Sequence, residues 1–234
     1  MRLAFMVVVP CSIIASAASG ALYNLTSDYS ETSNPNGAWS FAQGSVLLNK
    51  FFPTSPNAIN AVAGNGYWGV GSDTYVSSIL RVTGDGSVAP GYNDNDFHAG
   101  DIVAHGTNPG AGGILQFIWT APEAGEVSVA GLTWYAHSPV DRIADFALNL
   151  NSTVLDSGTL TSADNRPNAI AFDSGGVLSV AAGDQIRFTL APAAGQQFAS
   201  LAGVDFTVDF TAVPAPGAIV LAGLGAIGAA RRRR

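Results

Sequence analysis

Two pairs of adjacent aromatics are the residues best suited to recognition chemistry: Tyr67-Trp68, inside the glycine-rich stretch Gly64–Gly71, and Trp134-Tyr135, just after Gly131. Sugar rings lay their C–H faces on such side chains, so Tyr67, Trp68, Trp134 and Tyr135 are the candidate glycan-stacking residues. A core role competes with that reading, because large aromatics dominate buried interiors. For Trp39 and Trp119 the core role is the expectation. A second constellation is Asn93-Asp94-Asn95-Asp96, with Asp101 following it. Hard cations such as calcium gather many oxygen ligands, so Asp94, Asp96 and Asp101 are candidate calcium ligands, with a solvated polar turn as the alternative. The segment lacks the spacing and terminal Glu of an EF-hand, so other loops would have to complete a site. His98, His105 and His137 show neither H-E-x-x-H nor Cys/His zinc spacing. Catalytic patterns are equally sparse. There is no G-x-S-x-G elbow and no P-loop, and the single cysteine is Cys11. A glycosidase needs two carboxylates about 5–10 Å apart across the bond. The nearest local pair, Glu123 and Glu126, flanks Gly125 in an expected hairpin turn. The expectation is therefore no enzyme and no required cofactor, with a secreted hydrolase as the minor alternative.

The elements that must position these residues read as strands. Leu115, Phe117 and Trp119 alternate with Gln116, Ile118 and Thr120; Ala144, Phe146, Leu148 and Leu150 alternate with Asp145, Asn149 and Asn151. The same period of two runs through Gln185–Leu190 and Val204–Thr211, which marks strands with one buried face. Turn signals lie between them at Pro122–Gly125, Asp156–Gly158, Ser174–Gly176 and Ala182–Asp184. Trp134 shares a face with Ser128 and Ala130, opposite Val127, Val129 and Tyr135, which would leave one ring of each aromatic pair free for solvent. Gly44–Gly112 carries shorter apolar stretches at Val46–Leu48, Ile79–Val82 and Ile102–Ala104, joined by loops rich in Gly, Asn, Asp and Pro. Residues 22–212 show no amphipathic helix, no repeat and no linker. One all-β domain follows, an antiparallel sandwich or barrel.

The two ends of the chain have a different composition. Arg2, the apolar Leu3–Ile14 and the small residues Ala15–Ala21 form an export signal, with Ala15-Ser16-Ala17 as one cleavage site. A mature chain would then have no cysteine, so burial alone must hold its core. At the other end Val213-Pro214-Ala215-Pro216 precedes the uncharged run Gly217–Ala230 and then Arg231–Arg234. Fourteen helical residues reach about 21 Å, short of a hydrocarbon core of about 30 Å. The flanking residues and snorkelling Arg stems close most of that gap. The Arg cluster favours a cytoplasmic C-terminus. Of ten Lys and Arg, five lie in these two ends, and all seventeen acids lie between them. Residues 22–212 therefore carry a net charge of about −12, which argues against a nucleic-acid partner and fits a soluble exported domain.

Val213–Gly217, the small-residue run and Arg231–Arg234 resemble the PEP-CTERM sorting signals of exopolysaccharide-producing bacteria, in the Val-Pro-Ala-Pro-Gly variant. Ala215 stands where the namesake motif has Glu. The resemblance implies that an exosortase-like protease or transpeptidase acts at Val213, Pro214, Pro216 and Gly217, while Arg231, Arg232, Arg233 and Arg234 hold the tail in the membrane. Asn34–Ser40, Leu115–Pro122 and Val180–Ile186 resemble, in that order, the sandwich domains of many PEP-CTERM-tailed proteins from planctomycete-type bacteria, similar in shape to jelly-roll carbohydrate-binding modules. The combined expectation is a signal at 1–21, a jelly-roll-like sandwich at 22–212 and a sorting tail at 213–234. Such a protein would be transiently membrane-anchored, then held at the envelope or outside it in the polysaccharide matrix by weak glycan contacts. The alternative is a structural or adhesive surface protein without glycan specificity.

Overall fold

A computed structural model describes residues 20–52, 66–70, 77–84, 95–137 and 140–213. Regular structure among the described residues is almost entirely strand. The first half of the chain holds β1 (Gly20–Asn24), β2 (Trp39–Gln43), β3 (Val46–Leu47), β4 (Lys50–Phe52), β5 (Tyr67–Gly69), β6 (Ser78–Arg81) and β7 (Ile102–His105). The second half adds β8 (Leu115–Thr120), β9 (Gly125–Tyr135), β10 (Ala144–Leu150) and β11 (Thr153–Leu160). It ends with β12 (Ile170–Asp173), β13 (Leu178–Val180), β14 (Gln185–Pro192) and β15 (Leu201–Ala212). Among the described residues helix is confined to one turn at Leu25–Asp28 and a 3-10 turn at Arg166–Asn168. Among the described residues no helix is long and apolar enough to cross a membrane.

The strands form two antiparallel sheets. One has the order β12-β9-β15-β7-β6-β5-β4, with β1 also paired to β15 and β13 also paired to β9. The other has the order β11-β10-β14-β8-β2-β3. A hydrophobic layer rich in phenylalanine joins them. Phe172 lies 4.7 Å from Phe188 between ring centroids, and Trp39 meets Phe206 edge-on at 5.0 Å. Phe117, Trp119, Phe146 and Phe210 fill the same layer. Each alternating run in the sequence supplies one buried face here: Ile186, Phe188 and Leu190 are buried while Gln185, Arg187 and Thr189 are not. This is the expected all-β sandwich.

Chain reversals differ from expectation in three places. Pro122–Ala124 joins β8 to β9, which lie in different sheets, so the segment is a crossover and not a hairpin. Asp156-Ser157-Gly158, expected to turn, runs inside β11 opposite Leu148, Ala147 and Phe146. Gly158 is required there by packing, since a Cβ would lie 2.8 Å from the Phe146 ring. Ser174–Val177 interrupts an edge that continues along β9. Ser174 keeps the ladder by donating its N–H to the Val129 carbonyl at 3.1 Å and accepting the Val129 N–H on its Oγ at 3.0 Å. Gly175 and Gly176 take φ of 68° and 139° in this bulge, a region other residues avoid.

Both ends of the domain sit at one end of the sandwich. β1 starts at Gly20, two residues before the expected domain boundary, and pairs Gly20 with Thr211. Beyond Ala212, Val213 donates its N–H to the Ala124 carbonyl at 3.1 Å. The expected signal helix before Gly20 lies outside the described residues, as do Pro214, Pro216, Gly217, the apolar run and Arg231–Arg234.

Candidate functional site

The four candidate stacking aromatics converge on the end of the larger sheet remote from Val213. All are buried: Tyr67 is 2 % exposed, Trp68 5 %, Trp134 6 % and Tyr135 4 %. The reason is a second hydrophobic cluster on the outer face of that sheet, made by Tyr67, Leu80, Val82, Phe97, Val103, Trp134, Ala136 and Leu201. Strand alternation sends Trp68, Ile79, Ala104, Tyr135 and Ala202 into the inter-sheet core. It sends their neighbours Tyr67, Leu80, Val103, Trp134 and Leu201 into the outer cluster. Neither ring of either pair faces solvent. Tyr67 stacks on Phe52 at 4.8 Å, and Trp68 donates its Nε1–H to the Ser30 carbonyl at 2.6 Å. The expected sugar platform is therefore core in this conformation, as are Trp39 and Trp119.

Trp134 is held from both sides. Across the ladder it faces Gly203, whose missing side chain admits the indole: a Cβ there would fall 2.0 Å from the ring. Over its outer side lies the guanidinium of Arg166, 4.4 Å from the ring centroid, a cation–π arrangement. The same guanidinium donates to the Asp96 carboxylate at 3.0 Å and to Asp101 Oδ2 at 2.6 Å. Two of the three expected calcium ligands are thus brought together, but around an internal cation. Arg166 ion-pairs with both carboxylates, and His98 Nε2 stands 3.3 Å from Asp96. Asp94 lies outside the described residues. Among the described residues no group of three or more His, Cys, Asp and Glu side chains is placed to hold a metal. Arg166 is the residue that sequence reasoning missed; nothing local marks it, since its partners are distant in the chain.

Beside this clamp lies a buried polar knot. His105 and His137 stand 6.4 Å apart between ring centroids, and the Tyr135 ring is 6.5 Å from His137. Tyr135 donates its hydroxyl proton to the Val140 carbonyl and accepts the Arg142 N–H at 2.9 Å. His105 Nδ1 is 2.8 Å from the Gly106 carbonyl oxygen. Burial, reinforced by the Arg142 charge, lowers His137 to about 3. Burial outweighs the Gly106 contact and lowers His105 to about 4. Both are closed off from solvent at 4 % and 2 % exposure, which suits a structural role better than a reacting one.

At the opposite end the arrangement is open. The crossover Pro122–Ala124 and the turn Ala181–Asp184 lie side by side, joined by Ala121 donating to the Asp184 carbonyl and Gly183 to the Ala121 carbonyl. Glu123 and Glu126 are exposed there. The Ala181 N–H and the Asn151 amide hold the Asp184 carboxyl below the usual carboxylate range.

The PEP-CTERM protein-sorting motif matches residues 212–234, beginning at the last residue of β15. No curated protein matches the sequence. Among solved structures, a family 35 carbohydrate-binding module from Clostridium thermocellum is similar at 13 % identity and TM-score 0.29, over 74 % of this chain and 98 % of that one. The K1 cleaved adhesin domain of Lys-gingipain from Porphyromonas gingivalis W83 is similar at 11 % identity and TM-score 0.31, over 84 % and 99 %. The C-terminal CBM6 of LamC, a laminarinase from Zobellia galactanivorans, is similar at 16 % identity and TM-score 0.25, over 46 % and 78 %. At such scores these likenesses bear on neither ligand nor activity.

Proposed function

We propose that this chain is an exported surface protein whose C-terminal motif hands it to a membrane-embedded, exosortase-like enzyme. Its delivered part then serves as a rigid structural or adhesive component of the extracellular matrix. The observation that carries the reading is the sorting motif at 212–234, which begins at the last residue of β15. The net acidity of the domain supports a soluble exported product. Burial of every candidate stacking ring favours the structural or adhesive alternative over glycan recognition by those residues. Pairing of Asp96 and Asp101 with Arg166 supports a site that needs no metal, and the seclusion of the two histidines supports a protein without catalysis.

Mass spectrometry of the protein from envelope and medium tests the delivery. The expected product ends between Val213 and Gly217, and Pro214→Ala with Pro216→Ala leaves Gly217–Ala230 attached. An intact apolar run on the wild-type end product sinks the sorting reading and leaves a plain anchor. Glycan arrays probed with the delivered domain, with and without calcium, decide between the adhesive and the glycan-binding roles; specific binding overturns the former.

A further inference from the structure

We infer that the end of the sandwich carrying Glu123, Ala124, Glu126, Asp184 and Val213 is a contact surface for the enzyme that processes the tail, and that this enzyme meets it with a cationic face. The inference rests on the sorting reading above and follows from how little chain separates the folded body from the motif. Val213 is tied to the Ala124 carbonyl, and four residue steps lead from it to Gly217, the first residue of the apolar run. Fully extended, they span about 14 Å. The headgroup layer on one side of a bilayer takes about 5–7 Å of that. Roughly 8 Å remains, less than the diameter of one helix, about 10–12 Å. No layer of a second protein fits between the sandwich and the lipid without touching the sandwich. Any group that attacks a peptide bond within Pro214–Gly217 therefore works against this end of the domain.

β15 cannot lengthen the reach at low cost. It is paired along one edge with β9 from Ala202 to Ala212, and on the other with β1 at Thr207–Thr211. Freeing its last turns would break those ladders and withdraw Phe210, which packs against Trp119 at 5.7 Å. β1 brings the start of the domain to the same place, since Gly20 faces Thr211. Gly20 and Thr211 thus lie side by side at this end of the body. The charge at this end supplies the specificity. Glu123 and Glu126 are exposed, and the ion pairs among the described residues lie elsewhere, at Asp96 and Asp101. An exposed acidic end is complementary to a basic protein face.

The test uses the full chain in a host that processes it, with the rate of loss of Gly217–Arg234 followed by pulse-chase and mass spectrometry. Glu123→Lys with Glu126→Lys should slow processing about ten-fold, the scale of electrostatic steering. Both positions are exposed, and an unchanged melting transition of the purified variant shows that folding is intact. A spacer of about eight Gly and Ser residues between Val213 and Pro214, with a mean reach of about 16 Å, should restore the rate of the charge-reversed chain. Processing of the reversed chain at the wild-type rate overturns the contact surface. Slow processing that the spacer fails to rescue overturns it too, because contact is then not the cause. Failure of the wild-type chain to lose its tail removes the sorting reading itself, a different result from either.

Discussion

The long strands β9 and β15 pass through two environments, and the same residue types behave differently in each. Near the tail exit their outer face is wet: Glu126, Ala130, Asp205 and Asp209 are exposed while Val127, Val129, Phe206 and Phe210 are buried. At the remote end both faces are dry. Thr133-Trp134-Tyr135 and Leu201-Ala202-Gly203-Val204 are buried without a break, because a second hydrophobic cluster covers the outside of the sheet. The wet half needs only hydrophobic burial to hold its strands. The dry half also carries polar groups: Arg166 ties Asp96 to Asp101 over the outer cluster, and burial keeps His105 and His137 uncharged. The half that resembles a binding site by composition is thus a sealed one, and the half that looks plain holds the exit of the sorting tail.

The largest effect should come from the layer common to both halves. Phe188 touches Phe117, Phe146, Phe172 and Phe206 in the centre of the sandwich. Phe188→Ala should cost about 3–5 kcal/mol from lost burial and the cavity left behind. Chemical denaturation of residues 20–213 measures it, and a loss under about 1 kcal/mol, the scale of surface changes, would show that the layer is not the core described.

Gly203→Ala probes the dry half alone. A Cβ would sit 2.0 Å from the Trp134 indole in a strand whose neighbours leave it no room. Overpacking of this kind costs about 1–3 kcal/mol, and displacement of the indole should shift its fluorescence. The fluorescence matters more than the stability, since it separates movement of Trp134 from general loosening. An unchanged emission spectrum would place the ring elsewhere.

Much of this was legible in the sequence, and the remainder was not, for one physical reason. Ile186, Phe188 and Leu190 announce β14 because the other side of that strand is partly open to water, so Gln185, Arg187 and Thr189 mark every second position. Tyr67-Trp68 and Trp134-Tyr135 carry no such mark. With both faces dry, adjacent aromatics go to opposite cores, and a doubly buried strand reads like an exposed aromatic loop. Asp156-Ser157-Gly158 has turn composition, yet Gly158 is there to admit the Phe146 ring across the ladder. The clamp was out of reach, since Arg166 meets Asp96 and Asp101 across 70 and 65 residues. A cluster of carboxylates in sequence shows where negative charge gathers; which cation answers it is settled only by folding.

The two histidines sharpen the comparison by pH. Both are held below their ordinary value of 6.5, His105 to about 4 and His137 to about 3. In the unfolded chain they take up protons first as pH falls. Their contribution to stability is therefore intact above the unfolded value and is lost progressively from about 6.5 downward, towards about 4 and 3. Melting temperature measured between pH 7 and pH 4 should fall for the wild type. The fall should be smaller for His105→Gln with His137→Gln, which titrates at neither position. Equal slopes for the two proteins would mean that the dry half does not enclose neutral imidazoles.

The smallest effect belongs to the wet half, where it is the most direct check on the contrast. Leu132 lies on β9 one step before the dry segment, and at 42 % exposure it faces water; Trp134, two residues on along the same face, is buried under Arg166. Leu132→Ser should change stability by no more than about 0.5 kcal/mol, as surface positions do. Arg166→Gln removes the cation over Trp134 and leaves Asp96 and Asp101 without their partner. For a partly buried network of this kind the cost should be about 1–2 kcal/mol, larger than an isolated surface pair gives. Adding calcium to Arg166→Gln should not recover that loss if the two carboxylates are shaped for a planar guanidinium. Recovery would mean that they form a cation site which Arg166 happens to fill. Measured together, the two substitutions place the boundary between wet and dry within a single turn of the pleat. A Leu132→Ser cost that equals or exceeds the Arg166→Gln cost would erase that boundary and make the outer cluster a continuous cover.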